Sequence, residues 1–165
     1  MAQACAVGPY EGVLREVIHA LKYDSRRSVA RPLAALMAEH GRRMLKGADL
    51  LVPVPLHRAR QRERGFNQAD DLARGLDLPI VQALRRVRRT RPQIELEAAQ
   101  RQMNVGGAFA MAGSRKGATH GRVIVLIDDV TTTGATLEAC ARVLKAAGAA
   151  EVRALTAARV VTAPR

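Results

Sequence analysis

Asp128 and Asp129 close the apolar run Val123-Ile124-Val125-Leu126-Ile127, and after Val130 come Thr131-Thr132-Thr133-Gly134-Ala135-Thr136. Carboxylates accept hydrogen bonds from vicinal hydroxyls, while hydroxyls and main-chain N–H groups donate to phosphate oxygens. Acids and threonines in this order therefore suit a ligand with a diol at one end and a phosphate at the other. A helix opening after the loop adds the partial positive charge of its N-terminus, and Gly134 allows a tight turn. If strand conformation persists, the adjacent acids point to opposite faces, which argues against both gripping one metal ion. Isolated acids and threonines often just cap a helix, but strand, Thr/Gly loop and helix in one run favour a phosphate cradle. A second constellation, Val54-Pro55-Leu56-His57 with Arg58 and Arg60, follows the short apolar run Leu50-Leu51-Val52.

The elements that must hold these residues alternate between strand and helix. In residues 10–21, Val13, Leu14, Val17, Ile18 and Leu21 recur at helical spacing, which predicts an amphipathic helix. A second helix starts near Pro32, directs Leu33, Leu36, Met37 and Met44 inward, and closes at Gly47. Leu50-Leu51-Val52 reads as a buried strand, residues 57–64 as a basic loop, and residues 66–76 as a helix with Asn67 a candidate cap. Residues 87–107 lack a clean period and contain Pro92, which predicts a long mobile loop next to a short strand at 108–111. Residues 113–120 are polar and Gly-containing, a helix follows the Thr/Gly loop as far as Gly148, and residues 152–161 supply a last strand. This order predicts one α/β domain over residues 1–165 with a mainly parallel sheet between helices, whose ligands sit at the carboxyl ends of the strands.

Composition excludes some functions and leaves others open. No apolar stretch approaches the roughly 20 residues of a spanning helix, and the start has no signal-peptide grammar, so a soluble cytoplasmic protein is expected. Cys5 and Cys140 lack neighbours at metal-ligand spacing, so neither a zinc site nor a disulfide framework is indicated. The net charge of +12 and a pI near 11.2 point to a polyanionic partner or to an Arg-rich composition as such. Aromatic content of 2% leaves few platforms for stacking single-stranded bases. No Gly-x-x-x-x-Gly-Lys-Ser/Thr occurs, which disfavours a Walker-type ATPase.

The run from Val125 through Asp128, Asp129 and Thr131 to Thr136 resembles the phosphoribosyl-pyrophosphate signature of type I phosphoribosyltransferases. Val52-Pro53-Val54-Pro55-Leu56-His57, Arg60 and Arg64-Gly65-Phe66-Asn67-Gln68 are similar to the ComF family of phosphoribosyltransferase-like competence proteins. Ile18-His19-Ala20-Leu21-Lys22-Tyr23 comes before them and Gln93, Leu96, Arg101, Asn104-Val105 and Ala108-Phe109 after, in the family's order. The resemblance implies a type I phosphoribosyltransferase-like fold with a flexible hood loop at about 87–107. It implies that Asp128 and Asp129 act at the ribose hydroxyls and that Thr131, Thr132, Thr133, Gly134, Ala135 and Thr136 hold the 5-phosphate. Val54, Pro55, Leu56, His57, Arg58 and Arg60 then face pyrophosphate, with Arg101 and Asn104 in the hood.

The implied ligand is phosphoribosyl pyrophosphate with Mg²⁺, and the implied activity is transfer of the phosphoribosyl group to an unknown acceptor. A non-catalytic sensor, or a module binding single-stranded DNA and a competence helicase, is the alternative. This chain departs from the family pattern in lacking the N-terminal Cys pairs of a zinc-binding segment, and in carrying Thr131 where a larger residue is common.

Overall fold

A computed structural model of the chain describes residues 3–23, 26–88, 107–113 and 116–161. Its centre is the strand β5, Val123–Thr131, whose residues Ile124, Val125, Leu126 and Ile127 are all fully buried. An apolar run buried on both faces belongs in the middle of a parallel sheet covered by helices. β5 pairs in parallel with β2 (Leu50–Pro53) and β6 (Glu151–Arg159), and β6 pairs in parallel with β1 (Gln3–Pro9), so the order is β1-β6-β5-β2.

Alternation along β5 sorts the core into two layers. Ile124 and Leu126 pack with Leu137, Cys140 and Leu144 of the helix α7 (Ala135–Ala146), together with Leu84 and Phe109. Val125 and Ile127 pack on the other face with Ile18 and Leu21 of α1 (Gly12–Tyr23), Leu33 and Met37 of α2 (Ala30–His40), and Leu72 of α5 (Gln68–Ala73). Each such side chain contributes about 1.5–3 kcal/mol on burial, so the two layers fix where both ends of β5 lie. The α/β arrangement, a parallel sheet flanked by helices, is as the sequence led one to expect.

Several local expectations are corrected. Residues 57–64 are not a loop: Arg58–Arg64 forms a helix, α4, with no buried residue. The Ala59 N–H donates to His57 Nδ1 at 3.3 Å at its start, and Gly65, at φ 80°, returns its N–H to the Gln61 carbonyl at 2.8 Å at its end. Two good caps sustain a helix whose arginines show no apolar period. The second predicted helix breaks at Gly41 into α2 and the short α3 (Arg42–Leu45).

Leu36 is 43% exposed and Val13 76% exposed, although both were expected inward. At 3.6 residues per turn Val13 lies about 140° around the helix from Ile18, outside its buried stripe. β1 was not anticipated, nor was β3 (Leu84–Arg86), which lies within an Arg-rich run and pairs antiparallel with β4 (Phe109–Met111). A single helical turn, α6 (Lys116–Thr119), interrupts the polar stretch 113–120. Of the predicted loop 87–107, residues 89–106 lie outside the described residues.

Candidate ribose-phosphate site

β5 keeps strand conformation through the acids, with Asp128 in register with Thr156, Val130 with Ala158 and Thr131 with Arg159 of β6. Alternation therefore continues past Ile127. Asp128 shares the face of Ile124 and Leu126, whereas Asp129 shares the face of Val125 and Ile127.

The two carboxylates have different surroundings. Asp129 is 3% exposed; its Oδ1 accepts the Val130 N–H at 2.7 Å and its Oδ2 lies 2.6 Å from Lys22 Nζ at the end of α1. Burial works against the Lys22 ammonium, but the charge and hydrogen bond of Asp129, with Asp128 beyond, hold its pKa above the ordinary value. Asp128 is half-buried and its Oδ1 accepts the Asp129 N–H at 2.9 Å. Desolvation, then the charge of Asp129, push its pKa well above the ordinary carboxylate value, against the smaller pull of that N–H and of Lys22.

Beyond Thr131 the chain turns through Thr132, Thr133 and Gly134 into α7. Gly134 has φ 79°, which L side chains adopt at a cost, and a Cβ built there would meet open space. The Thr133 hydroxyl accepts the Ala135 N–H at 3.4 Å, and the Glu138 N–H donates to the Gly134 carbonyl at 2.9 Å to open the helix ladder. Thr131, Thr132, Thr133 and Gly134 border a cavity of about 200 Å³ whose other walls include Ala6 of β1 and Thr156 and Arg159 of β6. Ala135 is buried and Thr136 half-buried in the first turn of α7.

The second predicted loop leaves the end of β2, beside β5. Val54 is buried and its N–H donates to the Ile127 carbonyl at 2.9 Å. Pro55 has no N–H, so of the four residues only Leu56 and His57 keep main-chain donors that can turn to a ligand. Asn67 pins the loop: its Nδ2 donates to the Val54 carbonyl at 3.1 Å while its Oδ1 accepts the Ala69 N–H at 3.2 Å, capping α5. Arg58 and Arg60 are exposed on α4.

Arg86 of β3 stacks over Phe109 at 5.3 Å. Burial and then the charge of Arg60 lower its pKa, with Asp128 acting the other way, so Arg86 lies within the fields of both Arg60 and Asp128. Arg101 and Asn104 lie outside the described residues. In the sequence Lys22 stands out only as part of the family pattern and Arg86 only as one of a basic run at 85–91 suited to DNA phosphates; neither is placed at this site by composition or periodicity.

Among the described residues no group of three or more His, Cys, Asp or Glu could hold a metal ion, and no helix is long and apolar enough to cross a membrane.

Residues 62–162 match the family described as Phosphoribosyl transferase domain. The chain is also 35% identical over 163 residues to Competence protein F of Haemophilus influenzae, covering 93% of this chain and 71% of that protein. It belongs to the ComF family of phosphoribosyltransferase-like proteins. Other ComF-family relatives are the DNA utilization protein YhgH of Escherichia coli K12, 36% identical over 157 residues (89% of this chain, 67% of that protein), and Competence protein ComFC of Bacillus subtilis, 39% identical over 111 residues (67% and 44%). Among solved structures, one described as the allosteric regulatory enzyme of purine biosynthesis matches with a TM-score of 0.53 and 21% identity over 84% of this chain and 30% of that one. The glutamine phosphoribosylpyrophosphate amidotransferase of B. subtilis, complexed with ADP and GMP, matches with a TM-score of 0.50 and 21% identity over 83% of this chain and 30% of that one. At that identity the likeness is one of fold.

Proposed function

We propose that this ComF-family protein binds phosphoribosyl pyrophosphate, with the 5-phosphate at the turn of Thr131, Thr132, Thr133 and Gly134 and the ribose hydroxyls at the acidic end of β5. One observation carries this most: β5 continues through the acids and turns, at a glycine with φ 79°, straight into a 12-residue helix. Main-chain N–H groups at a helix start and threonine hydroxyls are donors suited to phosphate, while acids beside them are acceptors suited to a diol. The Leu56 and His57 N–H groups, with the guanidiniums of Arg58, Arg60 and Arg86, would face the pyrophosphate end.

The half-buried carboxylate of Asp128 at the strand end fits a Mg²⁺ arriving on the ligand, and would be the protein group to hold it. Bound there, the ion would neutralise charge on the departing pyrophosphate. The chain's own part in a transfer is positioning and charge stabilisation. As the bond from ribose C1 to pyrophosphate oxygen breaks and a bond from C1 to an acceptor nitrogen forms, C1 gathers positive charge and the arginines receive the negative leaving group. The acceptor loses its proton to solvent or base. Water exclusion during that step would fall to the hood segment, including Arg101 and Asn104.

Calorimetry checks the binding. Phosphoribosyl pyrophosphate should bind in a Mg²⁺-dependent manner, and Gly134→Ala, which meets no neighbour but strains the turn, should weaken it at least about tenfold. No heat from the wild-type protein at millimolar ligand would remove the proposal.

A second reading concerns the relatives' names, which state competence and DNA utilization for those proteins. We propose a role in DNA uptake for the whole cytoplasmic protein, with single-stranded DNA or a helicase as partner. Arg58, Arg60 and Arg62 are exposed on α4, which suits phosphate contact. Base stacking would be slight: Phe66 and Phe109 are buried, each beneath an arginine, and Tyr23 is the exposed aromatic among the described residues.

A further inference from the structure

Both oxygens of the Asp129 carboxylate are engaged inside the protein, Oδ1 by the Val130 N–H at 2.7 Å and Oδ2 by Lys22 Nζ at 2.6 Å. The Asp129 side chain is 5% exposed and that of Lys22 18% exposed, so the pair is largely shielded from water. A sugar hydroxyl would reach the Asp129 carboxylate only by opening the packing around it, because Oδ2 is buried and the whole side chain is nearly so. Asp128 also accepts a main-chain N–H, but it makes no ion pair at contact distance with Lys22, is half-buried, faces the opposite layer and interacts electrostatically with Arg86 of the β3–β4 pair.

The neighbours of Lys22 extend the contrast. Tyr23 lies beneath the Arg64 guanidinium at 5.4 Å, and Arg64 Nη1 donates to Gln68 Oε1 at 2.6 Å. The last turn of α1 is thus fastened to β5 through Lys22 and to α4 and α5 through Tyr23. The end of α1 is tied to the end of β5 by an ion pair and to α4 by a cation–π contact.

We propose that the two acids divide the work: Asp128 alone meets the ribose hydroxyls, and Asp129 is a positioning residue that, with Lys22, clasps the end of α1 to β5 and so sets the place of Asp128. The division rests on phosphoribosyl pyrophosphate being the ligand; the clasp does not.

The test measures thermal unfolding of the ligand-free chain, and calorimetric binding of Mg²⁺ with phosphoribosyl pyrophosphate, for Asp128→Asn, Asp129→Asn, Lys22→Met and Lys22→Arg. Removing one partner of a buried pair strands the other charge, so Asp129→Asn and Lys22→Met should lower the unfolding midpoint by about 5 °C or more. Lys22→Arg, which keeps the charge, should restore most of that loss. Asp128→Asn should weaken binding at least about tenfold with no fall in midpoint, and at least about fivefold more than Asp129→Asn does below its own midpoint. An Asp129→Asn protein with an unaltered midpoint that loses as much affinity as Asp128→Asn would overturn the division. An unaltered midpoint in Lys22→Met would overturn the clasp. Failure of the wild type to bind would remove the proposed ligand and with it the division, while the midpoints would still decide the clasp.

Discussion

Asp128 and Asp129 are the same residue type one peptide apart, and the pleat of β5 sends them into different layers of the protein. One is matched by an ammonium at 2.6 Å, whereas the other is desolvated beside it and holds its proton above the ordinary carboxylate range. That difference has a consequence for stability. The unfolded chain releases the Asp128 proton near the ordinary value of 3.8, while the folded chain keeps it to higher pH and so binds more protons in between. Stability should therefore fall as pH rises from about 4 and level off once Asp128 ionises in the folded state, at a slope of up to about 1.4 kcal/mol per pH unit. Urea midpoints across that range should show the decline in the wild type and a flatter profile in Asp128→Asn; parallel profiles would exclude Asp128 as its source. Lys22 acts with the opposite sense at high pH: its raised pKa gives stability that is present below 10.5 and is lost as pH climbs through the folded value.

At the scale of elements, helices are defined as much by their ends as by their faces. α4 buries no residue, yet the His57 and Gly65 caps close it. Gly41, where α2 ends, lies close against the sheet: a Cβ there would lie 2.5 Å from a Leu155 methyl and 2.6 Å from the Met37 carbonyl oxygen. Its φ of −88° is ordinary, so close approach and not backbone strain demands the glycine. Gly41→Ala should then cost about 2 kcal/mol, read as a fall of roughly 5 °C in the unfolding midpoint. A fall of less than about 1 °C would mean that Leu155 repacks freely.

For the whole molecule the dominant quantity is charge, +12 over 165 residues. Such an excess attracts any polyanion, so affinity for DNA alone would not identify a site; its salt dependence and its response to substitution do. If single-stranded DNA is a partner, log affinity should fall linearly with log salt. Replacing the exposed Arg62 and Arg88 by Gln should reduce that slope by about 1.4, which is 0.7 per lost phosphate contact. An unchanged slope would place the DNA elsewhere on the surface. The sheet order β1-β6-β5-β2 sets the geometry of the proposed site, because it brings the ends of β2 and β5 side by side, with the two predicted ligand loops leaving them.

The strand, turn and helix of the candidate cradle were legible in the sequence because everything that makes them is local: an apolar run, two acids, threonines, a glycine and a helical period lie within residues 123–146. The same holds for α1 and for Asn67 as a cap, where spacing or a single side chain carries the signal. β1 was hidden because its small side chains are defined as a strand only by pairing with β6, as in the Thr156 hydroxyl bond to the Cys5 carbonyl across 151 residues. β3 was hidden because its arginines obscure alternation. The grip of Lys22 on Asp129, and the approach of Arg86 to Asp128, join elements distant in the chain. Local pattern determined which groups the protein can offer a ligand. Packing of α1 and the β3–β4 pair on opposite faces of β5 decided which of the two acids is matched from within and which is left to meet a ligand.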